Sequence, residues 1–461
     1  MKSELPTYSR YKPSGVEWVG EIPNSWEIWR LRFIAPLQGG FAFPSKDFES
    51  EGIAVVRMNN IKRGVLDLSD VVYVKKGPER FALKKGDLLL GMSGSIGETG
   101  SLGNYATVSE SDLPCFLNQR VGRFEPKKKV GRDFIRYLVQ SKAFTEPILL
   151  EVTGTAQFNI SSAQVGNVRV ALPDTKEQDV IVNFLDTETT KIDRLADVRR
   201  KQIVRLCEQR IAIIHHAVTK GLDADTPMKP SGQPWLESVP AHWEIVRLKF
   251  RSTINPSKGM SGYSARSDKE VVFLPMESVS AEGKIDQSNK GKIRDLWKGF
   301  TYFAKGDIVV AKITPCFENG KGALLSNLES EIGFGTTEFH VLRPGRKVLG
   351  EFLWWITSSS RFRGVGKQFM TGAAGQQRVS EKFLSDFPIA LPPLPEQTSI
   401  VQHISTETKR IDALIAKYAR ELELLDEYRG SLISHAVTGK IDVRGLSNVP
   451  ESTRTDAHEP T

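Results

Sequence analysis

Apolar residues recur every seven positions along two stretches of the chain. In the first stretch these positions are Leu185, Ile192, Leu206 and Ile213, with Arg199 as the only interruption. In the second stretch they are Ile404, Ile411, Tyr418, Leu425 and Leu432, without a break. A seven-residue repeat sustained over about five heptads is typical of a supercoiled seam rather than of a helix lying on a globular core. We therefore predict two long helices, with Leu195 and Leu414 at the intervening seam position.

The residues that flank these stretches predict where the helices begin and end. Asp174 with Glu177 resembles a capping box at the start of the first helix, and Gly221 and Gly439 suit stop positions. Each apolar stripe is narrow, so antiparallel pairing of the two helices is the economical way to bury both. It would place one globular domain at each end, about a pseudo-twofold axis. A homo-oligomeric coiled coil is the alternative.

The second half of the chain repeats the first at an offset of roughly 220 residues. The openings match, with Ile22-Pro23 and Trp26-Glu27 in one copy and Val239-Pro240 and Trp243-Glu244 in the other. Later matches are Lys85-Gly86-Asp87 with Lys305-Gly306-Asp307, Glu177-Gln178 with Glu396-Gln397, and His216–Thr219 with His435–Thr438. The interiors between these anchors differ strongly. This combination indicates one scaffold with two different recognition surfaces; a duplicated enzyme or a simple tandem array is the alternative.

Composition narrows the class of partner. The 461 residues carry a net charge of +8, which favours a polyanion because clustered Lys and Arg displace the counterions of a phosphate backbone. Cys115, Cys207 and Cys316 stand far apart, so we expect reduced thiols and no metal site. No run of eighteen apolar residues occurs, and we expect a cytoplasmic protein with no membrane partner.

The repeated motifs resemble those of the specificity subunits of Type I restriction-modification systems. The resemblance runs from about Tyr11 to Asp442, and its most specific parts are Leu391–Gln397, the ending His435–Asp442 and the two Pro-x-x-Trp-Glu openings. It implies a mixed α/β (α+β) fold with two target-recognition domains separated by two long antiparallel coiled-coil helices. The implied segments are an N-terminal segment 1–22, domain 23–173, helix 174–221, linker 222–237, domain 238–392, helix 393–440 and a tail 441–461 that is expected to be disordered.

The resemblance also implies partners and an absence of chemistry in this chain. Double-stranded DNA, two methyltransferase subunits and motor-endonuclease subunits are the expected partners, in a prokaryotic cytoplasm. S-adenosylmethionine, ATP and Mg are expected on those subunits, with no cofactor bound by this chain. The predicted helix from Thr187 to Thr219, of about 33 residues, would be roughly 50 Å long. One turn of duplex measures about 34–36 Å, so this helix is long enough to place two DNA-reading domains on grooves about one turn apart.

Motifs of catalysis are not found in the sequence. It has no Gly-x-x-x-x-Gly-Lys-Ser/Thr loop, no Asn-Pro-Pro-Tyr-like tetrapeptide and no Gly-x-Gly-x-x-Gly after a strand. The glycines from Gly91 to Gly100 lack the spacing of a phosphate loop and are predicted to form a loop or a turn-rich strand pair. We predict no catalytic residue. The alternatives are a self-sufficient DNA methyltransferase or nuclease with an unrecognised site, and a coiled-coil adaptor whose positive charge is incidental.

The candidates for DNA contact are basic and amide residues of the divergent interiors. Arg can bind guanine O6 and N7, and Asn or Gln can bind adenine N6 and N7. In the first domain the candidates are Arg57, Asn59, Asn60, Lys62, Arg63, Asn118, Gln119, Arg120 and Gln157. In the second they are Lys312, Thr314, Glu338, Gln376, Gln377 and Arg378. Phe41, Phe43, Trp297 and Phe300 could act as wedges between bases, but core packing is the favoured interpretation.

Overall fold

A computed structural model of the chain describes residues 5–95, 100–152, 158–233, 236–373 and 375–446. The chain divides into two units. Unit 1 consists of residues 1–198 and 420–461, and unit 2 of residues 199–419. Each unit has a mixed α/β fold.

Unit 1 is built from short strands and four helices that precede a long one. The strands are β1 (Tyr11–Pro13), β2 (Glu21–Pro23), β3 (Glu27–Arg30), β4 (Leu37–Gly39), β5 (Ile53–Val56), β6 (Ile61–Lys62), β7 (Val65–Leu66), β8 (Val72–Val74), β9 (Leu88–Gly91), β10 (Ser93–Gly94), β11 (Tyr105–Thr107), β12 (Cys115–Leu117), β13 (Val121–Phe124), β14 (Phe158–Asn159) and β15 (Arg169–Leu172). The helices are α1 (Leu31–Ile34), α2 (Arg132–Leu138), α3 (Lys142–Glu151), α4 (Ser162–Asn167) and the first part of α5 (Thr175–Lys220).

Two sheets organise unit 1. The larger is antiparallel with the order β11-β9-β13-β4. The smaller has the order β12-β5-β8, and β12 runs parallel to β5 with Cys115 opposite Ala54. Because β5 and β12 are parallel, the residues that follow them reach the same edge of the sheet.

Unit 2 repeats this plan. Its strands are β16 (Met228–Gln233), β17 (Leu236–Pro240), β18 (Glu244–Arg247), β19 (Ser252–Ile254), β20 (Glu270–Leu274), β21 (Lys290–Lys292), β22 (Thr301–Ala304), β23 (Ile308–Ala311), β24 (Gly322–Leu324), β25 (Ile332–Gly335), β26 (Phe339–Pro344), β27 (Met370–Thr371), β28 (Arg378–Val379) and β29 (Pro388–Leu391). Its helices are the second part of α5, then α6 (Ile293–Leu296), α7 (Gly350–Thr357), α8 (Ser360–Gln368), α9 (Glu381–Asp386) and the first part of α10 (Leu394–Val437).

The main strand pairings of unit 1 recur in unit 2, where β22 adds a fourth strand beside β25. The order β19-β26-β23-β24 corresponds to β4-β13-β9-β11, and β20 pairs in parallel with β25 as β5 does with β12. The pair β18-β29 likewise corresponds to β3-β15. The repeat in the sequence is therefore a repeat of the fold.

The repeated Lys-Gly-Asp motif forms a buried ion pair in each unit. The Asp307 carboxylate accepts hydrogen bonds from the Arg343 side chain at 2.7 Å and from the Ala304 backbone N–H at 2.7 Å. Asp87 does the same with Arg123 at 3.3 Å and the Lys84 N–H at 2.9 Å. This motif stabilises the turn before β9 and β23, and it is structural in both copies.

The repeated glutamine fastens the start of each long helix to its own unit. Gln178 Oε1 accepts from the Gly131 N–H at 2.8 Å, and its Nε2 donates to the Pro173 carbonyl at 2.9 Å. Gln397 makes the equivalent bonds to Leu349 and Pro392 at 2.8 and 2.9 Å. Both side chains are buried, so these bonds form away from water and fix the direction of each helix.

Both predicted stop glycines and one of the two bonds of the predicted capping box are found at the helix ends. The Glu177 N–H donates to Asp174 Oδ1 at 2.9 Å, as predicted for the start of α5. The Glu177 carboxylate accepts from the Tyr8 hydroxyl at 2.7 Å. Gly221 and Gly439, which follow the ends of α5 and α10, have left-handed φ angles of 78° and 70°. A Cβ at Gly439 would lie 2.4 Å from Pro23, so the repeated Pro-x-x-Trp opening packs directly on this helix end.

The long helices run antiparallel to each other within each unit. In unit 2, the Arg199 guanidinium lies 4.7 Å from the Tyr418 ring centroid, and Arg210 Nε donates to Asp412 at 3.1 Å. Residue numbers thus rise along α5 as they fall along α10. In unit 1, Arg429 pairs with Asp193 at 3.5 Å, and Glu177 near the start of α5 lies 3.9 Å from Arg444, which follows the end of α10. The antiparallel pairing predicted from the heptads is confirmed within each unit.

One position of the predicted seam is wrong. Leu185, Ile192, Ile404, Ile411 and Leu432 are buried, and Leu206, Ile213, Leu414, Tyr418 and Leu425 are half-buried. Leu195, however, is 42% exposed, whereas Ala196 is 8% exposed. Steps of three and of four residues both keep a residue close to the same helix face. Leu195 was predicted to lie in the seam, three residues after Ile192. The buried face that contains Ile192 instead continues to Ala196, four residues after it.

The beginning of the tail is also ordered, contrary to the expectation for residues 441–461. Ile441 and Val443 are buried in the core of unit 1, and the Asp442 N–H donates to the Pro6 carbonyl at 2.7 Å. The Arg444 guanidinium pairs with Asp442 at 2.6 Å. The alternation of two apolar residues gives this segment an inward face. Residues 447–461 lie outside the described residues.

Candidate nucleic-acid interface

The predicted contact residues of unit 2 come together at one edge of its sheets. Lys312 follows β23, and its N–H donates to the Glu338 carbonyl at 2.9 Å. Its carbonyl accepts from the Val379 N–H at 2.8 Å. The Thr314 N–H donates to the Gln377 carbonyl at 2.9 Å, which adds the segment 376–378 to the same edge. Three segments that are distant in sequence thus meet because each adjoins a paired strand.

An ion pair is the main polar feature of this edge. Arg378 Nε lies 3.0 Å from Glu338 Oε2, and Arg378 Nη2 lies 2.8 Å from Glu338 Oε1. Arg378 Nη1 donates to the Gln376 carbonyl at 3.2 Å. The hydrogen bond from Arg378 is the largest cause that lowers the pKa of Glu338, so the carboxylate stays ionised. The Arg378 side chain is 43% exposed.

Unit 1 has the same backbone frame with other side chains. The Met92 N–H donates to the Arg120 carbonyl at 3.0 Å, and the Met92 carbonyl accepts from the Ile160 N–H at 2.9 Å. The Arg120 side chain donates from Nη1 to Asn159 Oδ1 at 3.3 Å. Ser93 Oγ also lies close to Asn159 Oδ1, at 2.7 Å. Sequence reasoning missed Ser93 and Asn159.

The residues after β5 stand at the edge beside this frame. Arg57 is half-buried, and its Nη2 donates to the Asp70 carbonyl at 3.3 Å. The Asn118 N–H donates to the Val56 carbonyl at 3.2 Å, which joins the segment Asn118–Arg120 to the end of β5. The exposed candidates here are Asn59, Lys62, Arg63, Gln119 and Arg120, whereas Asn118 is 9% exposed.

Asn60 has a structural role, which corrects its place among the predicted DNA contacts. Its side chain is 1% exposed. Oδ1 accepts from the Arg57 N–H at 2.9 Å, and Nδ2 donates to the Asp67 and Asp70 carbonyls at 3.0 and 3.1 Å. These three bonds hold the loop together and leave no exposed group for a base. Gln157, the remaining candidate of the first domain, lies outside the described residues.

Other features singled out in the sequence are structural where the structure describes them. Gly91 lies in β9, which pairs with β11 and β13, and Gly94 lies in β10, which pairs with β14, whereas residues 96–99 of the predicted strand pair lie outside the described residues. The aromatic rings of Phe41, Phe43, Trp297 and Phe300 each contact another ring at centroid distances between 4.9 and 6.2 Å, consistent with packing. Cys115 is buried, and burial raises the pKa of its thiol to about 12.

Metal clusters and membrane-spanning helices are absent from the described part of the chain. Among residues 5–95, 100–152, 158–233, 236–373 and 375–446, no group of three or more His, Cys, Asp or Glu side chains is arranged to hold a metal ion. Within the same residues, no helix is both long and apolar enough to cross a membrane.

Comparison with known proteins identifies the family. A family described as "Type I restriction modification DNA specificity domain" matches residues 23–203 and 267–424, which together exceed half of the chain. The chain belongs to the Type I restriction-modification specificity subunits. The second matched segment begins inside unit 2, and both segments extend into the long helices. Specificity subunits are the non-catalytic members of these systems.

Relatives of this specificity subunit fall into two groups. The EcoAI specificity subunit of Escherichia coli is 42% identical over 167 residues, which are 35% of this chain and 27% of that protein. The EcoKI specificity subunit of Escherichia coli strain K12 is 22% identical over 456 residues, which cover 94% of this chain and 92% of that one. High identity is therefore local, whereas the weaker similarity extends over nearly the whole length.

Two solved structures share the fold of this specificity subunit. A chain from work titled "Structural basis underlying complex assembly and conformational transition of the type I R-M system" has a TM-score of 0.67 at 16% identity, covering 90% of this chain and 98% of that one. The HsdS subunit from Thermoanaerobacter tengcongensis has a TM-score of 0.51 at 17% identity, covering 91% and 98%. At such low identity these similarities bear on the fold alone.

Proposed function

We propose that this specificity subunit binds a bipartite, asymmetric site in double-stranded DNA, with one half-site for each unit. The observation that supports it best is the shared backbone frame. The hydrogen bonds around Met92 in unit 1 recur around Lys312 in unit 2, yet the side chains on the frame differ. A frame kept constant while its polar side chains change is suited to the recognition of two different sequences.

The side chains on the frame have the chemistry of base recognition. Arginine donates two hydrogen bonds to guanine, amides pair with adenine, and carboxylates accept from cytosine. The exposed cations near the frame, such as Lys62 and Arg63, would bind phosphates, which position a protein on DNA without reading its sequence. The net charge of +8 favours such contacts.

The long helices offer surfaces for the catalytic partners. In unit 2, Val204 and Ile211 on α5 are 57% and 47% exposed; in unit 1, Leu424 and Tyr428 on α10 are 46% and 50% exposed. Exposed apolar side chains of this kind support a protein interface. We propose two methyltransferase subunits as the occupants, with motor-endonuclease subunits joining them.

The chemistry would then take place on the partner subunits, in the cytoplasm of a prokaryote. S-adenosylmethionine, ATP and Mg would bind there, and this chain would bind no cofactor. An enzyme that methylates a base must extrude it from the duplex, so the specificity subunit would present the site to a methyltransferase pocket.

Exchange of one recognition domain tests the proposal. Residues 23–170 are replaced by the matching domain of another specificity subunit, and methylated bases are mapped in cells that also express the methyltransferase subunit. We expect one half of the methylated motif to change and the other half to stay the same. The matched exchange of residues 238–390 should change the opposite half. A change in both halves after either exchange would contradict the proposal.

Two controls separate the alternatives. If the purified chain alone transferred methyl groups from S-adenosylmethionine or cut DNA with only a metal ion added, it would be an enzyme. If the chain bound no DNA even with methyltransferase subunits present, it would be an adaptor. The proposal requires DNA affinity that falls steeply with salt, because phosphate contacts release counterions.

A further inference from the structure

The backbone frame places two side-chain positions of unit 1 in register with two of unit 2. The Lys312 N–H donates to the Glu338 carbonyl as the Met92 N–H donates to that of Arg120. The Lys312 carbonyl accepts from the residue after Arg378, as the Met92 carbonyl accepts from the residue after Asn159. Glu338 thus corresponds to Arg120, and Arg378 to Asn159. We call these the paired positions.

The paired positions contact each other in both units, but the arginine changes sides. In unit 2 the arginine stands beside β27, in β28, and its partner is Glu338. In unit 1 the arginine precedes β13, and its partner in β14 is Asn159. Each unit therefore has one arginine at this place and one acceptor that holds it. The two guanidinium groups start from opposite strands of the frame.

The hydrogen bonds of Arg378 leave one edge of its guanidinium open. A guanidinium has five N–H donors. Nε and one N–H of Nη2 face Glu338, and one N–H of Nη1 faces the Gln376 carbonyl. Among the residues that the structure describes, one N–H on each terminal nitrogen is left without a protein acceptor. These two donors lie on the neighbouring terminal nitrogens of one planar group, and a pair of such donors is the arrangement that binds guanine O6 and N7.

We propose that Arg378 reads a guanine in the half-site of unit 2 and that Glu338 is a positioning residue for it. The same logic makes Arg120 the guanine reader of unit 1. This inference rests on the proposed function. Glu338 holds the guanidinium plane through two short, charge-assisted bonds, which fixes the plane in which the two remaining donors lie. Among the residues that the structure describes, Arg120 is held by one bond of 3.3 Å, to Asn159, so its plane is held less firmly than that of Arg378.

The difference in support predicts a difference in selectivity. A guanidinium that is fixed before binding loses less side-chain freedom when it contacts a base. A bidentate contact discriminates against the wrong base by about 5- to 150-fold. We expect the guanine read by Arg378 to be discriminated near the upper end of this range, and the guanine read by Arg120 less strongly.

Mapping of methylated genomic DNA tests this in cells that express the chain with its methyltransferase subunit. Glutamine pairs with adenine, so Arg378→Gln should change one guanine of one half-site to adenine. The other half and the remaining bases should stay the same, which also shows that the variant folds. Arg120→Gln should do this in the opposite half. Arg346→Gln is the matched control, since this exposed arginine stands beyond the far end of β26.

Glu338→Gln separates positioning from direct reading. A positioning role predicts that guanine stays the preferred base while its discrimination falls several-fold. A different preferred base in Glu338→Gln would show that Glu338 itself contacts the DNA, and the inference would be wrong. An unchanged motif in both Arg378→Gln and Arg378→Lys would also overturn it. Either outcome leaves the proposed function intact if the unsubstituted chain directs its methyltransferase subunit to a two-part motif. If the unsubstituted chain and that subunit give no two-part motif, the proposed function itself is refuted.

Discussion

His340 shows how a single buried side chain supports the edge of unit 2 at which Lys312, Glu338 and Arg378 meet. It lies two residues after Glu338, and its Nε2 is 2.9 Å from the carbonyl of Val379, the neighbour of Arg378. Its Nδ1 is 3.3 Å from Asn255 Nδ2. A neutral imidazole protonated on Nε2 satisfies both contacts, because it donates to the carbonyl and accepts from the amide. Burial is the largest cause that lowers the pKa of His340 below its usual 6.5.

The lowered pKa predicts that the strands around His340 weaken in mild acid. Below pH 6.5 the unfolded chain binds a proton that the folded chain resists, so the stability contributed by the neutral ring is complete above pH 6.5 and is lost as the pH falls. Hydrogen exchange of β26 amides, corrected for intrinsic rates, should show lower protection at pH 5.5 than at pH 7.5.

A pair of variants isolates the effect of His340. His340→Asn should reduce the loss of β26 protection between the two pH values, since asparagine does not titrate. His216→Asn, at an exposed histidine, should keep the loss as it is. Equal pH dependence in His340→Asn and the unsubstituted chain would exclude His340 as the group responsible.

The sequence predicted best which candidate residues lie together where these candidates adjoin paired strands. Lys312 and Thr314 follow β23, and Arg378 lies in β28. Backbone hydrogen bonds between the segment after β23 and β28 bring these three residues together. Asn60 has a residue type suited to base contact, but only the folded loop reveals that its amide is consumed by backbone groups. Asn159 was missed because its strand has two residues, too few for a pattern. Alignment of Ile160 with Val379 would have found it.

At the scale of the elements, the heptads predicted the helices and one face of their seam. The period of seven fixes the positions of Leu185, Ile192 and Ile411, all of which are buried. It does not fix the intervening position, because steps of three and four residues both fit a helix. The side chains of the facing helix decide between a step of three and a step of four residues. The sequence of one helix alone does not show which of those side chains it faces. Leu195 was therefore assigned to the wrong face.

Two alanine variants of α5 test the corrected seam in the isolated chain. Ile192 is 7% exposed, so Ile192→Ala should lower the free energy of unfolding of unit 1 by about 2–5 kcal/mol, through lost burial and the cavity left behind. Leu195 is 42% exposed, so Leu195→Ala should change it by no more than about 0.5 kcal/mol. Denaturant unfolding followed by circular dichroism measures both. Equal losses would return Leu195 to the seam.

Across the two units, one backbone frame is duplicated and the side chains that it carries are changed. The repeated motifs support the frame: the Asp87–Arg123 and Asp307–Arg343 pairs stabilise the turns, and Gln178 and Gln397 anchor the helices. The divergent interiors carry the exposed polar groups. Mutations in the repeated motifs should therefore affect stability, and mutations at the paired positions should affect the DNA sequence that is recognised.

Methylome sequencing of cells that express this chain with its methyltransferase subunit is the decisive test of recognition by two different units. We expect methylated adenines in a motif of two defined parts, unlike each other and separated by unspecified base pairs, with a guanine in each part. Cells that express the methyltransferase subunit alone should lack that motif. A single continuous motif, or two identical parts, would contradict recognition by two different units.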